Sequence, residues 1–143
     1  QMVSAKIENE FIKPITVSQT ISSDIDIRTY IEGKTREEAE SVKDDITNRL
    51  VSIGNEFDYK MVFVVSDKTR AYYTYNGISR YLDVENDSHD IWYKDYLDSG
   101  KRYIVNVDTD EDNNGESFRC LLITVFIDTN GDIFGEYVVS ELI

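Results

Sequence analysis

The sequence predicts an α+β fold: one antiparallel sheet of about five strands, two helices on one face, and a short helix or loop covering the other. Three observations carry this expectation. Apolar residues at helical spacing are confined to the N-terminal part, up to about residue 55. From residue 56 onward, alternating strand patterns are separated by turn signals. Within that second part, the run from Cys120 to Ile127 is apolar on both parities, so the strand it forms has to be covered on both sides.

Residues 1–33 read as a long N-terminal helix. Val3, Ile7, Phe11 and Ile15 recur along one face, followed by Ile21 and Ile25. Pro14 falls inside that pattern, where it removes a backbone hydrogen bond and bends the helix. After a break at Gly33, Thr35 and Glu38 form a capping-box pair that starts a second helix, spanning 34–55. Ala39, Val42, Ile46, Leu50 and Ile53 are its buried stripe, and Gly54 or Asn55 is its expected end.

Residues 56–143 make up the sheet and its cover. "DYKMVFVVSD" is a strand closed by a turn at Asp67–Lys68. "RAYYTYNGISRYL" is a hairpin in which Asn76–Gly77 supplies the positive φ angles of a type I′ turn. "SHDIWYKDYLDSG" breaks the alternation and suits a short helix ending at Gly100. "KRYIVNVD", "SFRCLLITVFID" and "IFGEYVVSEL" are the last strands, the final two joined by "TNGD". The whole chain reads as a single domain.

The charge balance narrows the partners. With 15 Lys and Arg against 28 Asp and Glu, the net charge is −13. Such a surface repels phosphate backbones and anionic headgroups, which argues against nucleic acid as a partner. The single Cys120 excludes an internal disulfide and a Cys-based zinc site, and is expected to be a buried thiol. No apolar run is long enough for a membrane span, and no signal-peptide pattern opens the chain. The start "QMVSAK", lacking an initiator Met, is what a piece excised from a larger protein would show.

No enzymatic signature is found. His89 is the only histidine and reads as a helix-start residue beside Asp87 and Asp90. Nucleophile elbow, phosphate loop and dinucleotide fingerprint are missing from the sequence, so a non-enzyme without cofactor or metal is expected. "NVDTDEDNNGES" (106–117) spaces Asp108, Asp110 and Asp112 as a calcium loop begins. With Asp108 first, however, the required Gly falls on Asn113 and the closing Glu on Arg119. It reads instead as a solvated connection between strands, and "DTNGD" (128–132) as a turn.

Aromatic residues are concentrated between Tyr72 and Tyr103. Strand propensity and core filling account for most of them. A subset suits the walls of a pocket: Tyr73 and Tyr75, on one strand face by alternation, with Trp92 and Tyr93 on the covering helix.

Three stretches resemble the extracytoplasmic single Cache domains, PAS-like sensors of bacterial and archaeal receptors. "FIKPITVSQTISSD" (11–24) is similar to their first-helix signature, and "VVSDKTRAYYTYNG" (64–77) to the strand–turn–strand that begins their sheet. Residues 90–139, from "DIWYKDYLDSG" to "GEYVV", resemble the pocket cover and final three strands. The resemblance implies a domain outside the membrane in a membrane-anchored receptor, whose output is a chemoreceptor region, diguanylate cyclase or histidine kinase. It also implies a small organic ligand held between sheet and cover, with Trp92 and Tyr93 matching the cover motif. Relatives that bind amino acids carry an Arg and an Asp where this chain has Asp90 and Ser140, which argues against a standard amino-acid sensor.

The expected ligand site is therefore Tyr73, Tyr75, Trp92 and Tyr93 as walls, with Asn106 and Asp108 as polar contacts from the sheet. A homodimer through the N-terminal helix is expected with it. The alternative is a dimerisation or protein-interaction module without a small ligand; calcium-dependent adhesion through the acidic loop is a third reading.

Overall fold

Asp24 divides what the apolar spacing predicts as one helix. In the computed structural model, the backbone is described for residues 2–111 and 118–140 and the side chains for 12–107 and 122–139. There the segment forms two helices, α1 (Met2–Ser22) and α2 (Ile25–Ile31). The Asp24 carboxylate accepts from the N–H groups of Asp26 and Ile27 at 3.0 and 3.1 Å, which caps a new helix rather than continuing the old one. The restart changes the inward face. Ile27 and Ile31 are buried, whereas Ile25, expected in the stripe, is 79% exposed.

The next helix, α3 (Arg36–Phe57), begins as the capping pair predicts, with Thr35 Oγ1 accepting from Glu38 N–H at 3.1 Å. It does not end at Gly54 or Asn55. It runs on to Phe57 and stops at Asp58, which takes the left-handed conformation at φ 56°. Gly54 serves packing instead: Tyr75 lies against its bare backbone, and a Cβ there would overlap the phenol group.

Six strands follow, against about five expected. They are β1 (Met61–Val65), β2 (Ala71–Thr74), β3 (Gly77–Tyr81), β4 (Tyr103–Glu111), β5 (Phe118–Ile127) and β6 (Ile133–Ser140). A turn of 3-10 helix (Ser88–Asp90) leads into α4 (Ile91–Asp98) between β3 and β4. The sheet is open and antiparallel in the order β3-β2-β1-β6-β5-β4. The hairpin turn differs from the expected type I′. Thr74 pairs with Gly77, so Tyr75 and Asn76 form the tip, and of Asn76 and Gly77 only Gly77 has a positive φ, 96°. That is the pattern of a turn closed by a left-handed glycine, with one residue bulged in β3.

Two cores lie on opposite sides of the sheet. Val62, Val64, Tyr73, Phe126 and Phe134 face α1, α2 and α3 together with Val17, Ile21, Ile27, Ile46 and Leu50. Phe63, Val65, Val125 and Ile133 face the α4 side with Leu82 and Tyr93. Residues 122–127 of β5 are thus enclosed from both sides, as their apolar parity requires. The thiol of Cys120 and the acidic connection at 112–117 lie outside the described residues.

One carboxyl is buried in the helix-side core. Glu136 of β6 is 0% exposed, and its Oε2 accepts from Ser18 Oγ of α1 at 2.5 Å and from Thr124 Oγ1 of β5 at 2.9 Å. Among the described residues its Oε1 finds no hydrogen-bond partner, and neither does the buried Tyr59 hydroxyl. Burial pushes the Glu136 pKa up to about 8, against the opposing pull of the two hydroxyls. Tyr59 and Tyr75 are the titratable neighbours that feel it, and their own pKa values are raised, first by burial and then by this carboxyl.

A raised folded-state pKa means that the folded protein holds this proton where the unfolded chain has lost it. The associated stability is fully present below about pH 4.5 and is lost as pH rises towards 8. Asp132, raised to about 6 chiefly by burial, adds a smaller effect of the same sign. Urea-unfolding free energies are predicted to fall between pH 5 and 8 by up to roughly 4 kcal/mol. Glu136→Gln is predicted to remove most of that slope; a wild-type profile that is flat or rising over this range would contradict the assignment.

Candidate functional site

The cover is held in place by ion pairs and one tyrosine. Asp90, 1% exposed, accepts at Oδ2 from Arg80 Nη2 and from Asp83 N–H, each at 2.8 Å. The same guanidinium nitrogen donates to Asp87 Oδ2 at 2.8 Å, and Asp87 caps the 3-10 turn through His89 N–H at 2.9 Å. Both backbone and side-chain hydrogen bonds hold the Asp87 carboxyl well below its ordinary pKa, at about 2. Asp90 is thereby committed to fastening the β3–α4 connection, and His89 stays 84% exposed beside Asp87.

Tyr93 is an anchor and not a pocket wall. It is 0% exposed, its hydroxyl donates to Asp67 Oδ1 at 2.6 Å, and it lies 3.2 Å from the Gly131 carbonyl oxygen. The Arg70 guanidinium sits 4.8 Å from its ring centroid. The β1–β2 turn and the β5–β6 turn therefore meet on this one phenol, which pins α4 to the sheet end. Tyr93 is not among the described residues that line the cavity beside Trp92.

Tyr73 and Tyr75 share a face, as alternation requires, but it is the helix face. Tyr73 is 1% exposed within the α-side core, and the Tyr75 hydroxyl donates to the Tyr59 carbonyl at 3.0 Å next to Gly54. Neither can meet Trp92 across the sheet. Register decides this: Tyr73 pairs with Val64, which points to the helices, while Tyr72 pairs with Val65, which points to the cover. The residue missed by sequence reasoning is thus Tyr72.

On the cover side, Phe63, Tyr72, Trp92, Tyr96, Ile123 and Tyr137 line a partly open cavity of about 210 Å³. Its floor depends on Gly135, because a Cβ there would stand 2.8 Å from the Thr124 carbonyl and overlap the Phe63 ring. The rings stand at steep angles to one another. Tyr72 and Trp92 are 5.9 Å apart at 78°, Trp92 and Tyr96 5.3 Å at 69°, and Phe63 and Tyr137 5.7 Å at 84°. Phe63 and Tyr72 stack at 5.3 Å.

Polar groups on these walls are few. Asn106 Nδ2 donates to Tyr96 Oη at 2.7 Å, so Asn106 reaches the rim through Tyr96. Burial raises the pKa of both Tyr72 and Tyr96 further above neutral pH. The backbone of Asp108 pairs with Leu121, and its side chain lies outside the described residues.

A larger groove of about 540 Å³ runs between α1 and α3, with Val17, Ile21, Ile53 and Phe57 at its base. Lys13 lies over the Phe57 ring at 5.3 Å, and Arg49 is paired with Asp24 on its margin. Its cationic groups are thus already engaged within the protein. Among the described residues, no three His, Cys, Asp or Glu side chains come together to hold a metal.

No family model and no curated protein matches this chain.

Tyr93→Phe is predicted to cost about 1–3 kcal/mol, because Asp67 loses a buried donor while the ring still fills its place. Hydrogen exchange should show faster exchange across α4 and little change in α3. Unaltered α4 protection would show that the phenol is not what holds the cover.

Proposed function

We propose that this chain is the small-molecule-sensing domain of a membrane signalling receptor, of the extracytoplasmic single Cache, PAS-like type. The observation that carries the reading is the aromatic cavity between the sheet and α4. The cavity, at about 210 Å³, is smaller than a typical drug-sized site, but its ring walls and few hydroxyls suit a compact organic ligand. The α+β architecture, with a six-stranded antiparallel sheet, is compatible with a PAS-like arrangement.

The site also has a path out of it. Tyr137 lines the cavity on one face of β6, and its neighbour Glu136 holds Ser18 of α1 on the other. A ligand that favours one position of Tyr137 therefore biases the contact between β6 and α1. In a receptor, α1 and the end of β6 would carry that bias to the membrane, across a dimer of first helices. Among the described residues, no helix is long and apolar enough to cross a membrane; the anchoring segments belong to the proposal.

A second reading, a dimerisation or protein-interaction module without a small ligand, is favoured by one feature. Tyr103, Val105 and Val107 lie on one face of the edge strand β4 and are 39%, 37% and 54% exposed. An apolar row on an open sheet edge is a natural pairing surface.

A thermal-shift screen over a broad panel of small metabolites separates the two. The sensor reading predicts a saturable rise in melting temperature of several degrees with at least one compound class, lost in Trp92→Ala although that variant still unfolds cooperatively. A panel without any shift, combined with dimerisation that Val107→Lys abolishes, would replace the sensor with the interaction module.

A further inference from the structure

We propose that the cavity between the sheet and α4 takes a small methylated ammonium cation, a trimethylammonium compound of the size of choline, as a free solute. This rests on the sensor reading and specifies its ligand class. The described walls carry no charge. Among their six lining residues a carboxylate or phosphate would therefore meet no cation, and an amino acid would leave its carboxylate unpaired.

What the walls supply is aromatic. Five of the six lining side chains are rings, and three pairs of them meet at 69° to 84°. The five rings border one cavity in different orientations, with Phe63 and Tyr72 stacked and the other three pairs near perpendicular. Their negative faces attract a cation, and Trp does so most strongly. Trp92 is central here, packing against both Tyr72 and Tyr96.

Hydrogen bonding separates a methylated ammonium from a primary one. A primary ammonium needs about three acceptors to replace its water. The described lining offers only phenol hydroxyls and one indole N–H as polar groups, and Tyr96 already accepts from Asn106. A trimethylammonium group needs no acceptor and fills the space with apolar methyls. Its volume suits a cavity of about 210 Å³, and the net charge of −13 raises the local concentration of any cation.

Isothermal titration at physiological salt tests this with four probes: choline chloride, tetramethylammonium chloride, sodium acetate and the neutral choline isostere 3,3-dimethylbutan-1-ol. One saturable site is expected for choline, with the isostere at least about tenfold weaker. Tyr72→Leu and Trp92→Leu should each weaken choline at least about tenfold; two variants are used so that one folding failure does not decide the matter.

Equal binding of the neutral isostere, or preference for acetate, would overturn the cation assignment and leave a ligand sensor standing. Sedimentation with phosphatidylcholine vesicles, in the absence of choline saturation, would overturn the free-solute form. No binding by these probes together with a metabolite panel that produces shifts elsewhere would remove this inference alone. No binding by any compound would remove both.

Discussion

Strands without a polar face impose the plan of this molecule. Val62, Phe63, Val64 and Val65 are consecutive and all buried, so β1 needs apolar partners above and below. β5, separated from β1 by β6, carries the same demand. On one side α1 and α3, each of more than five turns, meet it fully. On the other, α4 is only 8 residues long. Such a helix spans about 12 Å, against a sheet about 24 Å wide. Aromatic side chains must bridge the difference, and rings that bridge without filling leave a cavity.

The same strands join that cavity to the helices. β6 lies at the middle of the sheet between β1 and β5, with Glu136 and Tyr137 pointing to opposite faces. Glu136 is an expensive group to keep in a core, since a buried carboxyl with one oxygen unsatisfied works against folding once it ionises. Its two hydroxyl donors come from α1 and β5, so it records how closely the first helix sits on the sheet. In the proposed sensor, a change on the cavity side of β6 would reach a contact that is balanced rather than deeply stable.

Much of the fold is legible in the sequence. The capping pair Thr35–Glu38 starts α3, the Gly100 stop ends the covering segment, and the double-sided apolar run in β5 calls for two covers. What escapes is decided by single side chains whose roles depend on distant contacts. Asp24 reads equally well as a polar residue on a long helix and as a cap. Gly54 looks like a terminator until Tyr75 is seen to occupy the space of its absent side chain.

The site is legible in kind but not in face. In β1, valine and phenylalanine occupy both parities, so composition cannot say which parity meets the helices. The pairings of Tyr72 with Val65 and Tyr73 with Val64 answer this only in three dimensions. Trp92 lies on the cavity wall, Asn106 reaches the rim through Tyr96, and Tyr93 exchanges the role of wall for that of anchor.

The central claim is that ligand enters on the α4 face and not on the helix face. Aromatic carbon–proton NMR spectra with residue-specific tyrosine assignments, recorded during titration of a bound compound, test it most directly. The account predicts that Tyr72, Tyr96, Tyr137 and Trp92 shift together and saturate with one affinity, while Tyr73 and Tyr75 stay within line width. Saturable shifts confined to Tyr73 and Tyr75, with Trp92 silent, would contradict it.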